Sequence, residues 1–179
     1  MPRYVAFLRA INVGGHTVKM NDLRAIFEAQ RFERVETFIS SGNVLFDSDV
    51  SDQAKLERSI ERALEAELGF PVETFVRSAR ELSEIVVRHP FDRGRVAMGG
   101  RSVYIAFLSR PPTREAAGRL EALGTAAHTF AIVGREAYWL RRGRIGSSRS
   151  SSGFLEKTLG MPATLRGLPT LAKIAARLG

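Results

Sequence analysis

The sequence predicts an α+β fold: two tandem ferredoxin-like halves of βαββαβ type, each with an antiparallel sheet, plus a C-terminal helix. Three observations predict it. Strand-like and helix-like segments follow one another in the order β-α-β-β-α-β over residues 3–76. The same order starts again at Val103. The segments that this order places at the centre of a sheet are continuously apolar, and those that it places at the edges alternate.

The elements follow in turn. Residues 3–9 are nearly all apolar, as a strand buried on both faces requires. A glycine-containing loop at 10–17 leads to a helix from about Asn21 to Gln30, with Leu23, Ile26 and Phe27 on one face. Val35, Thr37 and Ile39 alternate with more polar neighbours. Ser41-Gly42-Asn43 is turn chemistry, and Val44-Leu45-Phe46 is a short apolar strand. Leu56, Ile60, Leu64 and Leu68 mark a helix that opens near Asp52, with Gly69 as its C-cap. Val72, Thr74 and Val76 alternate again. A helix at about Ala79 to Arg88 stops at Pro90, and residues 92–101 read as a linker or long loop.

The second half opens with the apolar strand Val103–Leu108. A helix runs from Pro111-Pro112 to about Leu123, and strands follow at Thr129–Val133 and Ala137–Leu140. Gly146 to Gly153 reads as a flexible loop, Phe154–Leu159 as a helix, and Pro169–Leu178 as the last helix. The expected halves are 1–90 and 91–179. The second reads as βαββα plus the terminal helix, its fourth strand either missing or too short to see.

Composition bounds the chemistry. Of 179 residues, 44 % are hydrophobic, enough for a core, and none is cysteine. That excludes disulfides, thiolate zinc sites and cysteine nucleophiles, and it fits a reducing cytoplasm. Residues 1–5 lack the layout of a signal peptide, and no apolar run reaches the roughly 18 residues of a membrane span. The formal charge is +8. Residues 1–90 hold 12 Lys and Arg against 14 Asp and Glu, whereas residues 91–179 hold 15 against 5. The basic character belongs to the second half, either as a solvated face or as a surface for an anionic partner.

Three segments could carry function. The loop Arg9-Ala10-Ile11-Asn12-Val13-Gly14-Gly15-His16 lies between a buried strand and a helix, where backbone N–H groups often converge on phosphate. It matches neither glycine-rich nucleotide fingerprint and also reads as a tight structural turn. The Ser41–Asn43 hairpin lies at the same sheet edge if strands 1 and 2 run in one direction, which groups Arg9, Asn12, Gly14, Gly15, Ser41 and Asn43 on one polar rim. The third segment is the basic tail, where Arg149 and Arg166 could grip a phosphate or simply be solvated. His16, His89 and His128 share no helical spacing, so no metal site is expected. Glu57, Glu61 and Glu65 read as one solvated helix face. Tyr104, Tyr138 and Trp139 read as core.

Arg9 to Gly15, the Ser41-Gly42-Asn43-Val44 hairpin, and the tail Pro162-Ala163-Thr164-Leu165-Arg166 with Thr170-Leu171-Ala172-Lys173 together resemble the bacterial domain-of-unknown-function 1697 family, over about residues 3 to 178. The resemblance implies two ferredoxin-like halves and no established activity. Three positions depart from the family pattern: Ala10 stands where the family usually has glycine, Arg149 where it has lysine, and Gly167 where it has asparagine.

The expectation is a binding module for a small anionic, phosphate-bearing ligand, with Arg166 folding back toward the rim. The alternatives are weak, non-specific nucleic-acid binding driven by charge, an enzyme of unidentified reaction using the same rim, and assembly through exposed sheet edges. No cofactor and no membrane partner are expected, and no residue stands out as nucleophile or base.

Overall fold

The structure, a computed structural model, describes residues 1–12, 15–39, 42–88, 90–97, 100–142 and 150–179. It is an α+β chain with two four-stranded antiparallel sheets. Two compact units hold one sheet each: Met1–Ile85 together with Ala172–Gly179, and Val86–Leu171.

The first unit runs β1 (Arg3–Leu8), α1 (Met20–Glu28), β2 (Glu33–Thr37), β3 (Asn43–Asp47), α2 (Gln53–Leu68) and β4 (Thr74–Ser78), followed by α3 (Ala79–Val87). The sheet order is β2-β3-β1-β4, so the two continuously apolar strands are central, as their composition predicts. Tyr4, Ala6 and Leu8 point to the helical face, where Leu23 and Phe27 of α1 and Leu56, Ile60 and Leu64 of α2 meet them. Phe46 anchors this layer, its ring centroid 4.5 Å from Phe32 and 5.7 Å from Phe27. Val5 and Phe7, on the other face of β1, are fully buried too. Asp52 caps α2 by accepting the Lys55 N–H at 3.1 Å, and Gly69 ends it in the left-handed region at φ 81°. The chain's last residues return to this unit: Ile174 is buried, and Arg177 Nε donates to Glu36 Oε1 at 2.9 Å.

The second unit holds α4 (Arg93–Ala97), β5 (Arg101–Phe107), α5 (Arg114–Ala122), β6 (His128–Val133), β7 (Glu136–Arg142), α6 (Ser150–Leu159) and β8 (Thr164–Gly167), from which α7 (Leu168–Leu178) departs. Its sheet order is β6-β7-β5-β8, the order of the first sheet repeated. Three elements differ from the sequence reading. The expected linker at 92–101 contains α4, whose first turn is held by Asp92 Oδ1 accepting the Gly94 N–H at 2.7 Å. α6 starts at Ser150 rather than Phe154, so the end of the Ser-rich stretch is helical. Burial of Leu155 and Leu159 outweighs the poor helix propensity of Ser and Gly. A fourth strand does exist. β8 is only four residues long, pairing Ile105 with Arg166 and Ala106 with Leu165, too short for a period to show. Among the described residues, no helix is long and apolar enough to cross a membrane.

Candidate functional site

The polar rim in the first unit is built by the end of β1 and the β2–β3 hairpin. Phe7 pairs with Asn43, and the Leu8 N–H donates to Gly42 O at 2.8 Å, which brings the two loops together. Asn43 is 3 % exposed, and its Nδ2 donates to Phe38 O at 3.1 Å and Ile39 O at 3.0 Å, so it pins the hairpin from inside. Asn12 closes the other loop: its Oδ1 accepts the Val18 N–H at 2.8 Å, and buried Ile11 and Val18 anchor that loop to the core. The backbone is left-handed at Ala10 (φ 55°) and Gly15 (φ 86°). Arg9 is held at its root by its N–H to Glu73 O at 3.0 Å. Its Nη1 lies 3.3 Å from Glu73 Oε2, with the Arg9 side chain one-third exposed. Arg9, Asn12, Gly15 and Asn43 thus belong to one pair of joined loops. Gly14, Ser41 and Arg149, and with them His89 and residues 146–148, lie outside the described residues.

Arg166 of the basic tail lies in β8 of the second unit. Its Nη1 donates to Thr164 Oγ1 at 2.7 Å and to Leu165 O at 2.9 Å. Desolvation pulls its pKa down to about 10.

Of the three α2 carboxylates read as a solvated face, Glu65 is exposed, but Glu57 and Glu61 turn to the strand beside them. Glu57 Oε1 accepts the Val76 N–H at 2.8 Å, and Glu61 Oε1 accepts the Thr74 N–H at 3.0 Å. One helical turn therefore spans two residues of the edge strand β4 and occupies its outward donors. Burial raises the Glu61 pKa, with the Thr74 N–H acting against it and Glu73 adding to it. The fully buried Arg77 has its Nη1 4.0 Å from Glu57 Oε1 and donates to Val76 O at 2.8 Å. The i, i+4 spacing of Glu57 and Glu61 beside an alternating strand was the signal in the sequence for this contact.

Two concavities accompany these sites. An open groove of about 630 Å³ runs between α1 and α2, with alanines as its walls and Asp22 and Glu67 as its charges, a poor match for an anion. A smaller hollow in the second unit is walled by Phe130, Trp139 and Phe154. Tyr138, on the opposite face of β7, is buried, and desolvation pushes its hydroxyl pKa up to about 12. No group of three His, Cys, Asp or Glu able to hold a metal occurs among the described residues.

Comparison with known proteins gives fold and family. No curated protein matches the chain. A solved structure, that of the conserved bacterial protein SP0830 from Streptococcus pneumoniae, superposes with a TM-score of 0.76 at 23 % identity, covering 99 % of this chain and 98 % of the other. That likeness carries the architecture alone. The family model for a protein of unknown function, DUF1697, matches residues 1–138, which include the Arg9 loop and the Asn43 hairpin. The chain therefore belongs to the DUF1697 family.

Proposed function

We propose that the chain is a binding module of two ferredoxin-like halves that takes a small phosphate-bearing anion at the rim of the first. The strand orders β2-β3-β1-β4 and β6-β7-β5-β8, each on a β-α-β-β-α-β path, support the fold name. One observation carries the functional reading: the Leu8–Gly42 hydrogen bond joins two loops at the root of a partly exposed arginine. The asparagines of those loops hold backbone, so the loops are stiffened before any ligand arrives. A guanidinium beside left-handed turn backbone is a recurrent cradle for a phosphate group.

The test is a thermal-shift series with inorganic phosphate, AMP and a sugar phosphate at constant ionic strength, on the parent and on Arg9→Gln. A rise in Tm with a phosphate compound that Arg9→Gln loses supports the reading. The ion pair it removes is partly exposed and worth about 1 kcal/mol or less, and the amide spectrum of the variant checks that it folds. No shift in the parent, or equal shifts in both proteins, defeats it.

Charge-driven nucleic-acid binding is the weaker reading. Tyr4, Phe7 and Phe46, the aromatic residues of β1 and β3, are all buried and offer bases no stacking surface.

A further inference from the structure

The hollow in the second unit has a chemistry of its own. It measures about 160 Å³ and is lined by Leu123, His128, Phe130, Trp139 and Phe154. Strand register assembles it. On β6 and β7, His128 sits opposite Arg141 and Phe130 opposite Trp139, all on one face of the sheet. The Phe130 and Phe154 ring centroids each lie 5.4 Å from that of Trp139, and Phe154 meets it nearly edge-on at 80°. Leu123, half exposed, stands at the mouth. The Trp139 indole N–H donates to His128 Nδ1 at 3.1 Å. An indole nitrogen can only donate, so Nδ1 accepts and the imidazole carries its proton on Nε2.

A cation borders these rings. The Arg141 guanidinium carbon lies 5.4 Å from the Trp139 ring centroid. Its Nε is buried and has no hydrogen-bond partner among the described residues. A buried donor without a partner is costly, and a charged one is best satisfied by an anion.

We propose that this hollow binds a single aromatic ring bearing a carboxylate, the ring against Trp139, Phe130 and Phe154 and the carboxylate on Arg141. Size admits one ring: an apolar cavity of about 150 Å³ accommodates benzene. Charge selects the anion. Aromatic walls alone would also attract an organic cation, but Arg141 already lies over Trp139 and repels one. A neutral ring would leave the Arg141 Nε as it stands. This site is in the second unit and involves no phosphate, so it goes beyond the rim reading and does not depend on it.

The chain has one tryptophan, so the indole N–H resonance of Trp139 reports this hollow alone. The full chain is titrated with benzoate, benzyl alcohol and acetate at constant ionic strength. Benzoate is expected to move the indole resonance saturably, benzyl alcohol more weakly, and acetate not at all. Arg141→Gln is expected to weaken benzoate by about tenfold or more and to leave benzyl alcohol unchanged. Leu123→Phe, at a half-exposed lining position, is expected to fill the hollow and abolish both responses. Arg9→Gln leaves the benzoate response intact, which separates a failure here from a failure at the rim. A response that stays linear in benzoate overturns the proposal. So does an Arg141→Gln protein, shown folded by its amide spectrum, that binds benzoate as tightly as the parent.

Discussion

The edge strands β4 and β8 occupy the same place in the two sheets and are held by the same device at different strengths. Each lies beside a central strand, and each carries an arginine opposite a central apolar residue: Arg77 faces Val5, and Arg166 faces Ile105. Each arginine donates to the carbonyl of the residue before it. In the first unit, two carboxylates from α2 take the Thr74 and Val76 N–H groups. In the second, Glu156 of α6 takes the Ala163 N–H at 3.0 Å, just before β8 begins. A helix beside an edge strand can thus satisfy donors that would otherwise invite another chain. How much of the edge is covered follows how many acidic residues the helix presents at one-turn spacing.

This comparison predicts unequal losses. Glu57→Ala leaves the Val76 N–H without its acceptor and removes a carboxylate 4.0 Å from a fully buried guanidinium, so it should cost about 3–5 kcal/mol. Glu156→Ala removes a half-buried acceptor at a strand end and should cost about 1–2 kcal/mol. Urea unfolding of both variants checks this. Equal losses would mean that the two edges are held alike and that the buried Arg77 contributes nothing to the difference.

Much of this organisation was legible in the sequence. The apolar runs identified β1 and β3 as central, and Asp52 and Gly69 marked both ends of α2. What stayed hidden has physical causes. Arg77 falls on the polar phase of an alternating strand, which reads as solvent-facing, but alternation cannot say whether a strand's second face is covered. Glu57 and Glu61 look like a solvated stripe because the strand that they serve contributes only backbone N–H groups, which residue types do not reveal. β8 is shorter than the window in which a period of two can be seen. At the rim, residue types pointed to two loops that the Leu8–Gly42 hydrogen bond joins, but gave no sign that Asn12 and Asn43 hold backbone.

A smaller contrast lies in the alkaline limb of stability. Tyr138 belongs to the second unit, and its folded pKa of about 12 lies above the ordinary phenol value of 10.0. A raised folded pKa contributes stability that is complete below the unfolded value and is lost as pH rises through the folded one. Between about pH 10 and 12, the protein should therefore lose up to about 2–3 kcal/mol through this group. Arg166, whose folded value is lowered to about 10, works in the opposite direction, because the unfolded chain then binds the extra proton. Thermal melts of Tyr138→Phe across this range should fall less steeply than those of the parent. Parallel curves would show that the hydroxyl does not titrate differently on unfolding.

The smallest effects test the two family departures that the structure describes, and they should share a sign for different reasons. Ala10 has φ 55°, a conformation in which an L side chain crowds the following carbonyl and glycine does not. The residue that the family usually carries there is the one this backbone favours, so Ala10→Gly should stabilise by about 0.5–1 kcal/mol, the relief of strain exceeding the added entropy of the unfolded chain. Gly167 is the converse. It lies in β8 opposite Tyr104, without a positive φ, and a Cβ built on it would meet the Tyr104 ring at 3.7 Å, ordinary contact. Here a side chain is allowed and glycine only adds freedom to the unfolded state, so Gly167→Ala should stabilise by about 0.4–1 kcal/mol. Chemical denaturation of the two single variants and of the double variant measures all three. The double variant reports whether the two effects add. If Ala10→Gly destabilises instead, the left-handed turn that leaves β1 is not strained, and the cradle proposed beside Arg9 loses one of its supports.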